Sequence, residues 1–506
     1  MTQKIQKKLN DSKVARWSAL IIVSFTMMMA YFFTDVMGPL EAPLTTKGKL
    51  VYFNDGTYLS ADSLSKISMQ RIDCEEEILV GNTYDLAYAD REGEIISEQR
   101  TVSSTINGLA WGGDDYGIFS GAYGFINVFL LMLFFGGIIL DKTGVRFTGL
   151  MSTGLMFVGA AIKWYAVSRG FEGEFFGLPT QVAIACLGFA VYGMGAEIAG
   201  ITVTKVIAKW FTGHEMALAM GLQVSLARIG TACALFFALP IAQSFGEISA
   251  PIMIGASALC IGLLSYIVYC VMDKKLDASM DGASAGEESE EQFKFSDLKE
   301  IFCNKGFWLI TFLCLIFYSA VFPFLKFATN LMIIKYNVSP DLAGIIPGLL
   351  PFGTILLTPL FGSLYDKVGK GATLMIFGSI LLTVVHILFA MPLLNVWWFA
   401  VIVMIILGVA FSLVPSALWP SVPKIIPMKQ LGSAYAIIFY IQNIGLSMVP
   451  VLIGTVIKNN TANGTTDYTM PMSIFALFGA IAVAISILLK IVDKRYNYGL
   501  EKKNME

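Results

Sequence analysis

Hydrophobic and polar positions alternate along this chain on a scale far longer than a strand or an ordinary globular helix. One apolar run extends from Trp17 to about Leu40, and others lie near 114–140, 147–168, 178–209, 214–243 and 249–272. After a polar stretch from Asp273 to Lys305, runs recur near 306–335, 340–365, 371–391, 394–420, 429–458 and 468–492. Each is close to the roughly 20 residues a helix needs to cross a bilayer core. The pattern predicts an all-α membrane protein with twelve transmembrane helices in two six-helix halves, 1–272 and 306–506, joined by a linker over 273–305 whose last third suits an amphipathic helix on the membrane surface. The first run is too long and too bulky at its end for a cleaved signal peptide. Between the first and second runs the chain turns polar over 41–113, with Asp73-Cys74-Glu75-Glu76-Glu77 and a strand-like alternation at Lys49–Phe53, which predicts a small cap on the outer face. Its plainest reading is a solvated insertion without chemistry.

Charge fixes the orientation. Lys142, Arg146, Lys205, Lys209, Lys274, Lys275, Lys367, Lys370, Lys424 and Lys429 fall on the side of both termini, and the short loops opposite hold few cations. Cations gather on the cytosolic side of a membrane protein, so both termini are expected inside. Composition agrees: of 506 residues, 56% are hydrophobic and 14% charged, which excludes a soluble globule of average make-up. The net charge of −2 identifies no partner, and no basic, aromatic-interleaved surface suits nucleic acid.

Two polar turns repeat. Gly136-Gly137-Ile138-Ile139-Leu140-Asp141-Lys142-Thr143-Gly144-Val145-Arg146 lies between the second and third runs. Gly362-Ser363-Leu364-Tyr365-Asp366-Lys367-Val368-Gly369-Lys370 repeats its Gly-x-x-x-Asp-Lys-x-Gly core 225 residues later, between the eighth and ninth. A glycine permits close helix approach and an aspartate can cap a helix or meet a base. The two copies in register resemble the signature loop of the major facilitator superfamily, which implies a gating role for Gly137, Asp141, Arg146, Gly362, Asp366 and Lys367.

Enzyme motifs are missing. Gly362 to Gly369-Lys370 has too long a spacing for a phosphate-binding loop and lacks the following Ser/Thr, and neither Gly-x-Ser-x-Gly nor His-Glu-x-x-His occurs. The seven cysteines form no Cys-x-x-Cys pair, so neither a metal site, a disulfide nor any cofactor is expected. His386, inside an apolar run, reads as a packing residue.

Polar groups at membrane depth carry the candidate chemistry, because such residues face a cavity or a partner. Gly193, Glu197, Gly200 and Thr204 share one helical face of the fourth run, and Ala217, Gly221, Ser225, Arg228 and Ala232 share one of the fifth. At 1.5 Å per residue, Glu197 lies about 18 Å from Lys209 and Arg228 about 20 Å from Glu215, so acid and base sit at matching depth. They form either an ion pair that fixes packing or a site for the amine and carboxylate of a zwitterion. Tyr31 and Asp35 precede the Gly38-Pro39 break of the first run, and Tyr318 joins them as a polar candidate. Lys326 either lines the cavity or snorkels outward. Trp419-Pro420 and Gln442-Asn443 either face the cavity or serve as packing contacts between helices.

At these residues the resemblance narrows. Val321-Phe322-Pro323-Phe324, Ser416-Ala417-Leu418-Trp419-Pro420, Gln430-Leu431-Gly432-Ser433-Ala434-Tyr435, Ile441-Gln442-Asn443-Ile444-Gly445-Leu446, Gly195-Ala196-Glu197 and Gly221-Leu222-Gln223-x-Ser225-x-Ala227-Arg228 are similar to the lysosomal dipeptide transporter branch of that superfamily. The resemblance implies dipeptide transport, with Glu197 and Arg228 as the acid and base of the peptide cavity. Three departures stand beside it: Phe189 where the branch has an arginine, Lys326 where it has a small residue, and the 41–113 insertion. Without an acidic dileucine signal near the N-terminus, a cell (inner) membrane is expected rather than a lysosomal one. The resulting expectation is a uniporter that moves a small zwitterion, foremost a dipeptide, by alternating access. The rivals are a proton-coupled symporter titrating Asp35 or Glu197, and a sensor or accessory subunit. The insertion would suit an accessory protein on the outer face.

Overall fold

A computed structural model of the chain describes residues 9–72, 75–89, 95–211, 216–280, 301–392, 394–427, 431–462 and 465–503. The centre of the expected linker, 281–300, lies outside them, as do Cys74 and Glu215. Eleven helices among the described residues are long and apolar enough to cross a membrane. Span 1 is Lys13–Asp35, span 4 Thr180–Phe211, span 5 Met216–Phe245 and span 6 Ser249–Met280. Span 7 is Lys305–Tyr336, span 8 Ile345–Val368, span 9 Gly371–Ala390, span 10 Trp397–Ile425, span 11 Leu431–Asn459 and span 12 Thr469–Tyr496.

The second apolar run is not one helix, contrary to expectation. It is built from Gly113–Ala122, Phe125–Phe129 and the first part of Met132–Ser168, which bends at Gly144 (φ 77°) before continuing as span 3. Leu131 stands in the left-handed region (φ 53°) at the last break. The other shift is at span 1, which stops at Asp35. The missing N–H of Pro39 and its fixed φ favour a short turn, and a 3-10 turn, Gly38–Leu40, carries the chain on into Glu41–Thr45.

The insertion folds as a cap. Its strands β1 (Lys49–Phe53), β2 (Tyr58–Ser60), β3 (Thr83–Ala89) and β4 (Ile95–Asn107) form an antiparallel sheet in the order β2-β1-β4-β3. Successive side chains of a strand point to opposite faces. Val51 and Phe53 of β1 therefore build the cap's own core with Leu64, Ile78, Leu86 and Val102, whereas Leu50 and Tyr52, with Ile106, join the core of the membrane helices. One face of the sheet is the cap interior and the other seats it on the bundle.

On this cap side the two halves meet closely. Gly113, Gly117 and Gly121 present one small-residue face to Ser447, Pro450 and Gly454 of span 11, so that a Cβ at Gly117 would stand 2.9 Å from the Gly454 Cα. Lys458 pairs with Asp114 at 2.8 Å, and the Tyr116 hydroxyl donates to the Lys326 carbonyl at 2.9 Å. The hydrogen bonds and ion pairs that cross the halves between described residues run from this seam no farther than Tyr440, whose hydroxyl donates to the Val128 carbonyl at 3.1 Å. Toward the termini, Gly137, Gly200, Gly221 and Gly362 all have open space where a Cβ would be. Among the described residues, the contacts between the halves gather on the cap side, and these terminal-side positions are open.

Candidate binding cavity

On span 4, the Oε1 of Glu197 accepts from the Tyr123 hydroxyl at 2.9 Å. Tyr123 lies in the break between Gly113–Ala122 and Phe125–Phe129, so the segmentation of span 2 places this donor. Span 5 brings Arg228, half-buried, against rings of both halves. Its guanidinium carbon stands 5.6 Å from the ring centre of Tyr31, 5.4 Å from Phe322 and 5.9 Å from Phe411. Cation–π attraction holds an arginine in such a cage without neutralising it. Among the described residues no ion pair joins Glu197 to Arg228, so the packing-pair alternative is not what this state contains. Tyr31 lies between them and is within electrostatic range of Arg228, Glu197 and Asp35.

Asp35 and Lys326 are brought together, but with each other. Lys326 Nζ reaches the Asp35 carboxylate at 2.6 Å and the Thr34 carbonyl at 3.0 Å, a tie between span 1 and span 7 at the cap-side end of the cavity. The choice left open for Lys326 thus resolves inward.

The second-half wall is aromatic. The Trp419 indole donates to the Tyr318 hydroxyl at 3.0 Å, Trp419 stacks on Phe439 at 5.0 Å, and Tyr318 packs on Phe322 and Phe411. Pro420 does not end span 10, which runs on to Ile425. Gln442 is buried and accepts from the Cys314 thiol at 3.5 Å, and the buried Asn443 donates to its own helix at Phe439, so these two pack rather than present polar groups to the cavity. His386 is fully buried, 3.0 Å from the Ala320 carbonyl and flanked by Phe324 and Phe475, a packing residue as expected.

Of the expected gating residues, Arg146 pairs with Asp277 of span 6 at 3.0 Å; Lys209, at the end of span 4, pairs with the same Asp277 at 2.6 Å and with Asp273 at 2.9 Å. Gly137 and Gly362 face open space and Lys367 is exposed. Positions 141 and 366 fall within helices, with their side chains outside the description.

Sequence reasoning missed Tyr123, Phe322 and Phe411 as neighbours of the charged pair, and it missed Lys163, a fully buried lysine of span 3. The last was findable: a lysine within the run 147–168 meets the same test that singled out Asp35. The rings were not, because apolar residues in an apolar run carry no mark of which ones face a cavity.

Comparison with known proteins agrees with this architecture. Residues 100–450 match the Major Facilitator Superfamily. The lysosomal dipeptide transporter MFSD1 of Bos taurus is 26% identical over 388 residues, covering 74% of this chain and 78% of its own. That of Danio rerio is 29% identical over 338 residues, 65% and 69% of the two chains. Among solved structures, a bacterial homologue of the human lysosomal transporter Spinster, inward-facing and unoccupied, superposes with a TM-score of 0.61 at 12% identity over 96% of this chain and 98% of that one. The nucleoside transporter NupG gives 0.60 at 12% identity over 94% and 98%. With two six-helix halves and a match over most of its length, this multi-pass membrane protein belongs to the major facilitator superfamily of transporters.

Proposed function

We propose that this chain is a uniporter for small zwitterions, foremost dipeptides, working by alternating access between the sealed cap side and the open terminal side. The observation that carries the reading is the placement of Glu197 and Arg228: one acid and one base on spans 4 and 5, both within electrostatic reach of Tyr31, without an ion pair between them among the described residues. A peptide offers a carboxylate to the guanidinium, which binds it through two parallel charge-assisted bonds, and an ammonium to Glu197. Its side chains meet the rings of Tyr318, Trp419 and Phe439 on the second half. Asp35, the other group considered for proton coupling, is engaged by Lys326, which supports uniport. The name of the relatives supports the choice of dipeptides. The cations on the terminal side support cytosolic termini.

The test is dipeptide counterflow and binding in proteoliposomes. Peptides amidated at the C-terminus are expected to bind about 10-fold or more worse than free peptides, the loss typical of a hydrogen-bonded charge pair. In Arg228→Ala the amide and the free peptide should bind alike, and Arg228→Lys should fail nearly as badly because an ammonium lacks the planar fork. Stable Arg228→Ala protein with parental affinity for free dipeptides would refute the site.

A further inference from the structure

Asp35 and Lys326 are each 16% exposed at the side chain, and their contact joins the two halves. The Tyr116 hydroxyl lies beside it, close to the carbonyls of both Lys326 and Met37, at 2.9 and 3.3 Å. In the alternating access proposed above, on which this inference rests, opening the cap side separates span 1 from span 7 and so withdraws Lys326 from Asp35. A carboxylate left unpaired at that depth is strongly disfavoured. Besides Arg228, which is held against the Tyr31 ring one turn away, its own half holds a further basic group nearby. Lys163 of span 3 is wholly buried, and its Nζ lies 3.4 Å from the carbonyl of Phe33, two residues before Asp35. Around the amine stand the rings of Phe33 at 4.3 Å, Phe189 at 4.4 Å and Phe119 at 5.3 Å. No carboxylate among the described residues pairs with it, although an ammonium has three donors to satisfy. Asp35 and Lys326 are the charged groups within its electrostatic reach.

We propose that Lys163 is the second partner of Asp35, and that the carboxylate passes from Lys326 to Lys163 as the cap side opens. The two lysines compete for one acid, and the outcome is read as conformation: the bond to Lys326 ties the halves together, whereas the bond to Lys163 stays within the first half. The flexible four-carbon stem of Lys163 allows the amine to swing from the Phe33 carbonyl to the carboxylate. Nothing in this exchange depends on which substrate is carried.

The two lysines must therefore act with opposite sign. Spin labels at Phe176 and Trp397, both exposed at the cap-side ends of opposite halves, report the opening as an interspin distance in nanodiscs. Lys326→Met should enrich the long distance and Lys163→Met the short one, each by roughly 10-fold in the ratio of states, a typical size for such couplings. Lys163→Arg should keep the parental distribution. In an Asp35→Asn background, Lys163→Met should have no further effect, because the charge to be matched is gone. If Lys163→Met does not fold but Asp35→Asn with Lys163→Met does, the acid's dependence on Lys163 is shown directly. Failure of the double variant as well would make Lys163 a packing residue and overturn the proposal. A shift in the same direction as Lys326→Met, an unchanged distribution, or an undiminished shift in the Asp35→Asn background would overturn it too.

Discussion

Gly117→Ala tests how the cap-side seam is closed. The added methyl would stand 2.6 Å from the Pro450 carbonyl oxygen and 2.9 Å from the Gly454 Cα. Both are backbone atoms, so no rotamer change can relieve the contact, and the helix Gly113–Ala122 must back away from span 11. Overpacking of this kind costs about 1–3 kcal/mol. Once the seam parts the methyl meets nothing, so the whole cost falls on the cap-closed state. Alanine's gain of up to about 1 kcal/mol in helix propensity applies to both states and cancels. Taking about 2 kcal/mol, the ratio of closed to open molecules should fall roughly 30-fold. Spin labels at Phe176 and Trp397 read that ratio directly, and counterflow should slow as cap-closed molecules become scarce. Gly154→Ala in span 3 is the control, since a Cβ there has no neighbour within 4 Å and should leave both readouts unchanged. An unaltered distance distribution in Gly117→Ala would refute the argument that backbone contact between spans 2 and 11 is the seal.

Two further outcomes follow from the terminal side. Glu501→Ala should cost about 1 kcal/mol of stability, the usual worth of a helix N-terminal cap, because the carboxylate accepts from the Thr373 amide at 2.9 Å at the start of span 9; a melting temperature equal to the parent's would show that the tail does not brace the helix. Gly362→Leu should leave substrate binding intact and slow transport, since its side chain enters open space in this state and becomes an obstacle only when the terminal side closes; parental exchange rates would remove Gly362 from the gate.

Much of the architecture could be read from hydropathy because a bilayer imposes one length on every span. The same signal could not show that span 2 is segmented, since the breaks at Tyr123-Gly124 and Leu130-Leu131 interrupt the helix without interrupting the apolar run. In the cavity, Glu197 and Arg228 were legible as charges where charges are costly, and their matching depth follows from helical rise. Their partners were not. Tyr123 reaches Glu197 from a helix break, and the rings around Arg228 come from spans 1, 7 and 10, a juxtaposition that only packing creates. Asp35 and Lys326 were each identified as cavity candidates, yet their pairing across the halves needed the fold.

The repeated turns show why sequence symmetry need not mean identical contacts. In the first half, Asp273 and Asp277 at the end of span 6 clamp Arg146 after the turn and Lys209 at the end of span 4. In the second half the segment after span 12 takes that place with its main chain. The carbonyls of Glu501 and Leu500 accept from the amides of Lys370 and Gly371, and Lys424 at the end of span 10 donates to the carbonyls of Gly499 and Lys502. Gly369 (φ 75°) lets the turn lie against the tail backbone, which a side chain there would obstruct. Both devices tie the start of the third helix of a half to the ends of its fourth and sixth, by ion pairs in one case and hydrogen bonds in the other. Each half is thereby stiffened within itself at the terminal end, where no described hydrogen bond or ion pair links it to the other. Among the described residues, the hydrogen bonds and ion pairs between the halves are concentrated toward the cap-side seam, so under the proposed alternating access that is where a change in free energy should move the halves as blocks instead of deforming either one.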